Sequence, residues 1–149
     1  MENKHILSSF DDDLKKLNDN LLKLGNGALT NFDSCINNFG TQDIIEIDKV
    51  INGDIILDEL DDKVQKLGFE IIALRAPQAA DLRRVIVALK IATIFERIGD
   101  YSRNISNRTK LLIELNYSDL PGVNIGKMGQ KTLTMIEDVI ESYTNEDDK

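Results

Sequence analysis

ALRAPQAADLRRVIVALKIATIFERIGDYSRNI, Ala73–Ile105, is the stretch that decides how this chain folds. Pro77 ends one helical pattern and opens another. A proline lacks the amide hydrogen that goes unpaired in a first helical turn, so the spacing predicts a helix from about Pro77 to Leu112. On a helical wheel Val87, Ile91, Ile94, Phe95, Ile98, Tyr101 and Ile105 gather on one arc. The opposite arc begins apolar with Leu82, Val85, Ile86 and Leu89, then turns polar with Glu96, Asp100, Asn104 and Asn107. A helix that is apolar on two sides is held between two neighbours, and here one of the two seams becomes acidic halfway along.

The neighbours lie on either side in sequence. Upstream, Leu57, Leu60, Val64, Leu67, Ile71 and Leu74 alternate steps of three and four, the pattern of a bundle seam, within a helix predicted from Thr41 to Ala76. INGD at positions 51–54 reads as a bend in it. Helices joined by so short a turn pack antiparallel. Further upstream, Phe10, Leu14, Leu17, Leu21, Leu24, Ala28 and Phe32 mark a first helix, with Ser8 or Ser9 as its cap and Gly40 as its close. Gly25 and Gly27 inside it each cost about 1 kcal/mol relative to alanine and read as points of close helix approach. Downstream, residues 116–121, ending at Pro121 and followed by Gly122, signal a loop. A fourth amphipathic segment follows with Ile125, Met128, Met135, Ile136, Val139, Ile140 and Tyr143 on one side, before an acidic tail, NEDDK, that is expected to fray. The fold class expected is all-α: an antiparallel three-helix bundle of spectrin-like course over residues 10–112, with an additional C-terminal helix at 121–145.

Composition agrees with helices. Only 5% of the 149 residues are aromatic and none is tryptophan, so the core is aliphatic. The net charge of −8 argues against nucleic acid and against anionic membranes, because both need a basic surface. Cys35 is single and cannot form an internal disulfide, and the start of the chain has no apolar run of signal-peptide length. No stretch approaches the roughly 20 apolar residues of a spanning helix, and a soluble cytoplasmic protein is the expectation. His5 is the sole histidine, so no triad, His-based acid/base pair or Glu-x-x-His di-iron pattern can be drawn; no phosphate-cradling glycine loop occurs either. An enzyme is not expected.

Two groups of residues stand out. Glu96 and Asp100 are four apart and share a helix face, where two like charges need a positive answer. Either an arginine (Arg97, Arg103 or Arg108) or a lysine of another helix pairs with them, the commoner outcome, or they are ligands for Mg²⁺, Mn²⁺, Ca²⁺ or iron. A further arc carries Arg83, Lys90, Arg97 and Arg108, a basic row on an acidic protein. It is either a solvated face paired with acids of the second helix or a docking strip for an acidic partner, with Asp81 and Arg83 at its start as further candidates.

Ala-Leu-Arg-x-Pro, Asp-Leu-Arg, Ala-Leu-Lys-Ile and Glu-Arg-Ile-Gly-Asp occur in that order from Ala73 to Asp100, and this run resembles the PhoU family of bacterial regulators of phosphate transport and signalling. VINGDIILDEL at 50–60 and FDDDLKKLNDNLLKLG at 10–25 resemble the family's preceding segments. The resemblance implies a three-helix bundle repeated in tandem, each copy with a Glu/Asp-x-x-x-Asp signature that binds a metal cluster in some members; here the signature falls on Glu96 and Asp100. It also implies an adaptor that negatively regulates phosphate uptake and phosphate-starvation signalling by binding the phosphate ABC transporter, through its ATPase, and a phosphate-sensing histidine kinase. Three features depart from the pattern. Ile94 and Leu29 stand where the family often has acids, which thins any ligand set, and LPGVNIGKMGQKTLTMIEDVIESY resembles only the first helix of a second repeat. The apolar stripe of that helix is expected to pack on its own bundle or to be shared in a homodimer. Alternatives to the adaptor are a carboxylate metal-binding bundle and a truncated, non-signalling remnant.

Overall fold

A computed structural model describes the backbone of residues 2–117 and 124–145, and side chains from residue 9 onward within those segments. Among the described residues four helices follow one another: α1 Glu2–Thr41, α2 Ile44–Arg75, α3 Ala79–Glu114 and α4 Ile125–Asn145. No strand occurs among the described residues. The all-α bundle expected from the sequence is present. Ion pairs show its course: Arg75 at the end of α2 reaches Asp13 near the start of α1, while Lys110 near the end of α3 reaches Asp48 near the start of α2. Thus α2 runs antiparallel to both its neighbours. Tyr143 of α4 donates a 2.7 Å hydrogen bond to Asn18 of α1, and Gly129 lies against Ile36, so α4 runs antiparallel to α1.

Several helix ends differ from expectation, each for a local reason. The first helix extends back to Glu2, which puts Ser8 and Ser9 inside it and removes them as caps. Its close is not Gly40 but Gln42, which takes the left-handed conformation at φ 56° and whose amide donates to the Asn38 carbonyl. Asp43 then caps α2, its carboxylate accepting from the Ile45 and Glu46 amides, so α2 opens at Ile44 and not Thr41. INGD does not bend the chain; α2 is continuous through it. At its far end Ala76 adopts φ 45° and closes the helix. Pro77 lies in the link, with α3 starting two residues later behind Gln78. The loop expected at Pro121 and Gly122 falls outside the described residues, as do residues 146–149 of the acidic tail.

The core is aliphatic, as composition requires. Leu17, Leu21, Leu24, Ala28 and Phe32 of α1 meet Leu57, Val64 and Ile71 of α2 and Val85, Ala88, Ala92 and Phe95 of α3. Leu74, one residue from the end of α2, is instead 78% exposed. The largest departure lies in α3. Its buried line is Val85, Ala88, Ala92, Phe95, Gly99, Ser102, Ser106 and Thr109. Val87, Ile94 and Tyr101, expected in the core, face solvent. The reason is close approach: a Cβ on Gly25 would stand 2.8 Å from the Phe95 ring, and one on Gly99 2.5 Å from Leu57. Apart from Val85 and Phe95 the inner face is built of small residues because α1 and α2 press against it, which leaves most larger residues for the flanks and the outside. In α4 the buried positions are Gly129, Leu133 and Ile136, while Met128, Met135 and Val139 are exposed. The fourth helix packs on its own bundle, against α1 among the described residues. No described helix is long and apolar enough to cross a membrane.

Candidate functional site

Glu96 and Asp100 lie where α3 faces α2. The structure adds a residue that the sequence reading missed: Asp54, on the line of buried positions Ile47, Val50, Asp54 and Leu57 in α2. Its side chain is 2% exposed and is bound by the Arg103 guanidinium of α3. The same guanidinium pairs with Asp100 at 2.5 Å, one turn back along α3. Arg103 therefore bridges two carboxylates, one on each helix. The second oxygen of Asp54 has no hydrogen-bond partner among the described residues and points at the Gly99 backbone, 3.1 Å from where a Cβ would sit. Burial pushes the Asp54 carboxyl above its ordinary pKa, Arg103 pulls it back, and Asp58 and Asp100 push it up again. Glu96 is raised too, first by burial and then by the charges of Asp100, Asp61, Asp58 and Asp54.

Arg103 thus supplies positive charge to Asp54 and Asp100, whereas Glu96 makes no ion pair among the described residues. Asp100 is engaged by Arg103, Leu29 packs against the core, and Ile94 faces outward. Among the described residues no three His, Cys, Asp or Glu side chains converge as metal ligands would. The donor set does not fit a carboxylate-bridged cluster. Cys35 is buried and its thiol is pushed up by that burial, against the Ser106 hydrogen bond that lowers it, which makes it a poor nucleophile.

The basic row has a different setting. Arg83, Lys90, Arg97 and Arg108 are all exposed on α3. Among the described residues none of them pairs with a carboxylate; Arg97 donates only a long, 3.4 Å hydrogen bond to the Tyr101 hydroxyl. Pairing with acids of the second helix does not occur, because Arg103 and Lys110 reach those acids from the inner flank while the row points away. Its upper end borders a cleft of about 700 Å³ between α1, α3 and α4, lined by Leu14, Leu17, Arg83, Val87, Val139 and Tyr143 among others.

The family model for the PhoU domain matches residues 21–109, more than half of the chain. The chain belongs to the PhoU family. A PhoU homolog of Caulobacter vibrioides, described as a phosphate-specific transport system accessory protein, is 32% identical over 144 residues, covering 97% of this chain and 63% of that protein. A homolog of the same description from Zymomonas mobilis is 34% identical over 151 residues, covering 97% and 61%. The crystal structure of the phosphate transport system regulatory protein PhoU from Streptococcus pneumoniae superposes with a TM-score of 0.80 at 24% identity, over 91% of this chain and 63% of that one, which speaks to the fold. This PhoU chain spans about three-fifths of the length of the relatives it matches.

Proposed function

We propose that this chain is a non-enzymatic accessory of phosphate transport that holds down phosphate uptake and phosphate-starvation signalling by docking on the ATPase of the phosphate ABC transporter and on a phosphate-sensing histidine kinase. The observation that carries the reading is the basic row of α3: exposed cations on a chain of net charge −8, without carboxylate partners among the described residues, displayed on one rigid helix. An intramolecular role would show itself as ion pairs, as it does at Arg103. Membership of the PhoU family supports the phosphate system as the setting. We further read α4 as the first helix of a second PhoU repeat, laid on α1 of the first. Fluorescence anisotropy against the cytoplasmic part of the host's kinase and against the transporter ATPase is the test. Micromolar binding that weakens by about tenfold or more in Arg83→Glu/Arg97→Glu supports the adaptor, a tenfold change being about 1.4 kcal/mol; binding of neither protein overturns it. Sedimentation of the same samples reads out the homodimer expected from the sequence.

A further inference from the structure

The outer face of α3 carries more than a row of charges. Arg83, Val87, Lys90, Ile94, Arg97 and Tyr101 are separated by alternating steps of four and three. Cations therefore recur every seventh residue and apolar side chains every seventh residue, interleaved along one line. Val87 is 45%, Ile94 57% and Tyr101 54% exposed, so the line is open along its length. The same steps continue through Asn104, Arg108, Leu111 and Leu115, the last two also exposed. A repeat of seven is the signature of a surface that a second helix follows, because a helix wound at 3.5 residues per turn keeps its seam in register with such a stripe.

We propose that this line is a docking seam for an acidic amphipathic helix of a partner protein, with apolar side chains at one seam position and Asp or Glu at the other. The proposal rests on the basic row being a docking strip and deepens it by giving the partner's chemistry. Its helical form follows from the spacing of anchors on α3, which matches the i, i+3, i+4, i+7 contacts of one helix laid on another. Its acidity follows from Arg83, Lys90 and Arg97: a neutral or basic helix would cover three cations and leave them unpaired, while an acidic one answers each in turn. A second copy of this seam is excluded as occupant by the same argument, since arginine and lysine would face each other. At its N-terminal end the seam opens into the cleft between α1, α3 and α4, where Val139 and Leu14 beside Val87 supply a deeper apolar seat for one end of the partner.

The test uses fluorescein-labelled synthetic peptides of about four heptads, long enough to form an isolated helix. One carries Leu at one seam position and Glu at the other; a second has Lys in place of each Glu. The full chain is titrated against both at low and at physiological salt. The expected result is micromolar binding of the Glu peptide, weakened several-fold by salt, and at least about tenfold weaker binding of the Lys peptide. Ile94→Asp/Tyr101→Asp abolishes binding, and the charge swap Lys90→Glu/Arg97→Glu transfers preference to the Lys peptide, with melting curves confirming that these exposed changes leave the bundle folded. Equal binding of the two peptides, binding of neither, or a charge swap that leaves the preference unchanged overturns the proposal. So does binding of the wild-type chain to phosphatidylglycerol vesicles in place of the Glu peptide. A chain that binds the kinase or the ATPase but not the Glu peptide keeps the adaptor reading and loses the helical seam; the reverse result keeps the seam and loses the adaptor.

Discussion

Asp54 is a carboxylate in the core of a helix pair, and Arg103 is the reason it can be there. Removing one member of a buried pair typically costs about 3–5 kcal/mol because the other is left uncompensated; with Arg103 half-exposed, Arg103→Ala should destabilise the chain by about 2–3 kcal/mol in urea unfolding. Asp54→Leu/Arg103→Met, which removes both charges, should recover most of that loss. If the double variant is no better than Arg103→Ala, the bridge is not the source of the effect. Glu96 gives a pH prediction with a definite sign. Its folded pKa is raised above the unfolded one, so its contribution to stability is full below the unfolded value and is lost as pH rises through the folded value. Glu96→Gln should therefore melt higher than wild type at neutral pH, and the gap should close as pH falls below the ordinary glutamate pKa; a gap independent of pH would count against it. The pairing of Glu96 and Asp100 on one face was legible from their spacing of four. Asp54 was not, because it sits in INGD beside a glycine and an asparagine, residues that signal a turn unless tertiary packing holds the helix through them. What could have flagged it is its place on the seam Ile47, Val50, Asp54 and Leu57, an acid where an aliphatic belongs.

At the level of the element, α3 shows how hydrophobicity alone misplaces a face. Val87, Ile94 and Tyr101 are large and apolar, yet beside Val85 and Phe95 the buried line of α3 is mostly small, with Ala88, Ala92, Gly99, Ser102 and Ser106, because α1 and α2 come close along it. In the first two helices Leu17, Leu21, Leu24, Leu57, Val64 and Ile71 are buried where the periodicity predicts, and of the named seam positions Leu74, near the end of α2, is the one left exposed. Gly25 and Gly27, which the sequence marks as points of close approach, lie against Phe95 and Leu57. Gly99→Ala tests the argument. Alanine is the better helix former by about 1 kcal/mol, yet its methyl would collide with the buried Leu57 side chain and crowd Asp54, an overpacking that costs about 1–3 kcal/mol. Net destabilisation of about 1 kcal/mol or more is expected in thermal melts. A stabilised variant would mean that Leu57 yields freely and the seam is loose.

For the whole molecule, the bundle of α1, α2 and α3 owes its course to its links. Only Gln42 and Asp43 separate the first two helices, and Ala76, Pro77 and Gln78 the next two, so neighbours have no choice but to run back along each other. The fourth helix rests on α1 through Leu133 and Ile136, whose burial contributes about 2 kcal/mol each before the entropy of ordering α4 is set against it. A chain ending at Tyr117 should stay helical, melt lower and, with Ile36 uncovered, show a larger mass in light scattering; an unchanged melt and mass would mean that α4 contributes nothing to the bundle. Because the backbone of α4 packs closely on α1 alone among the described residues, its detachment breaks chiefly one contact surface and leaves the other three helices mutually enclosed. The molecule therefore has two tiers of protection against solvent deuterium: amides of α4 should exchange through a partial opening, well before those beside Leu21, Val64 and Ala92, which are released only when the entire chain unfolds.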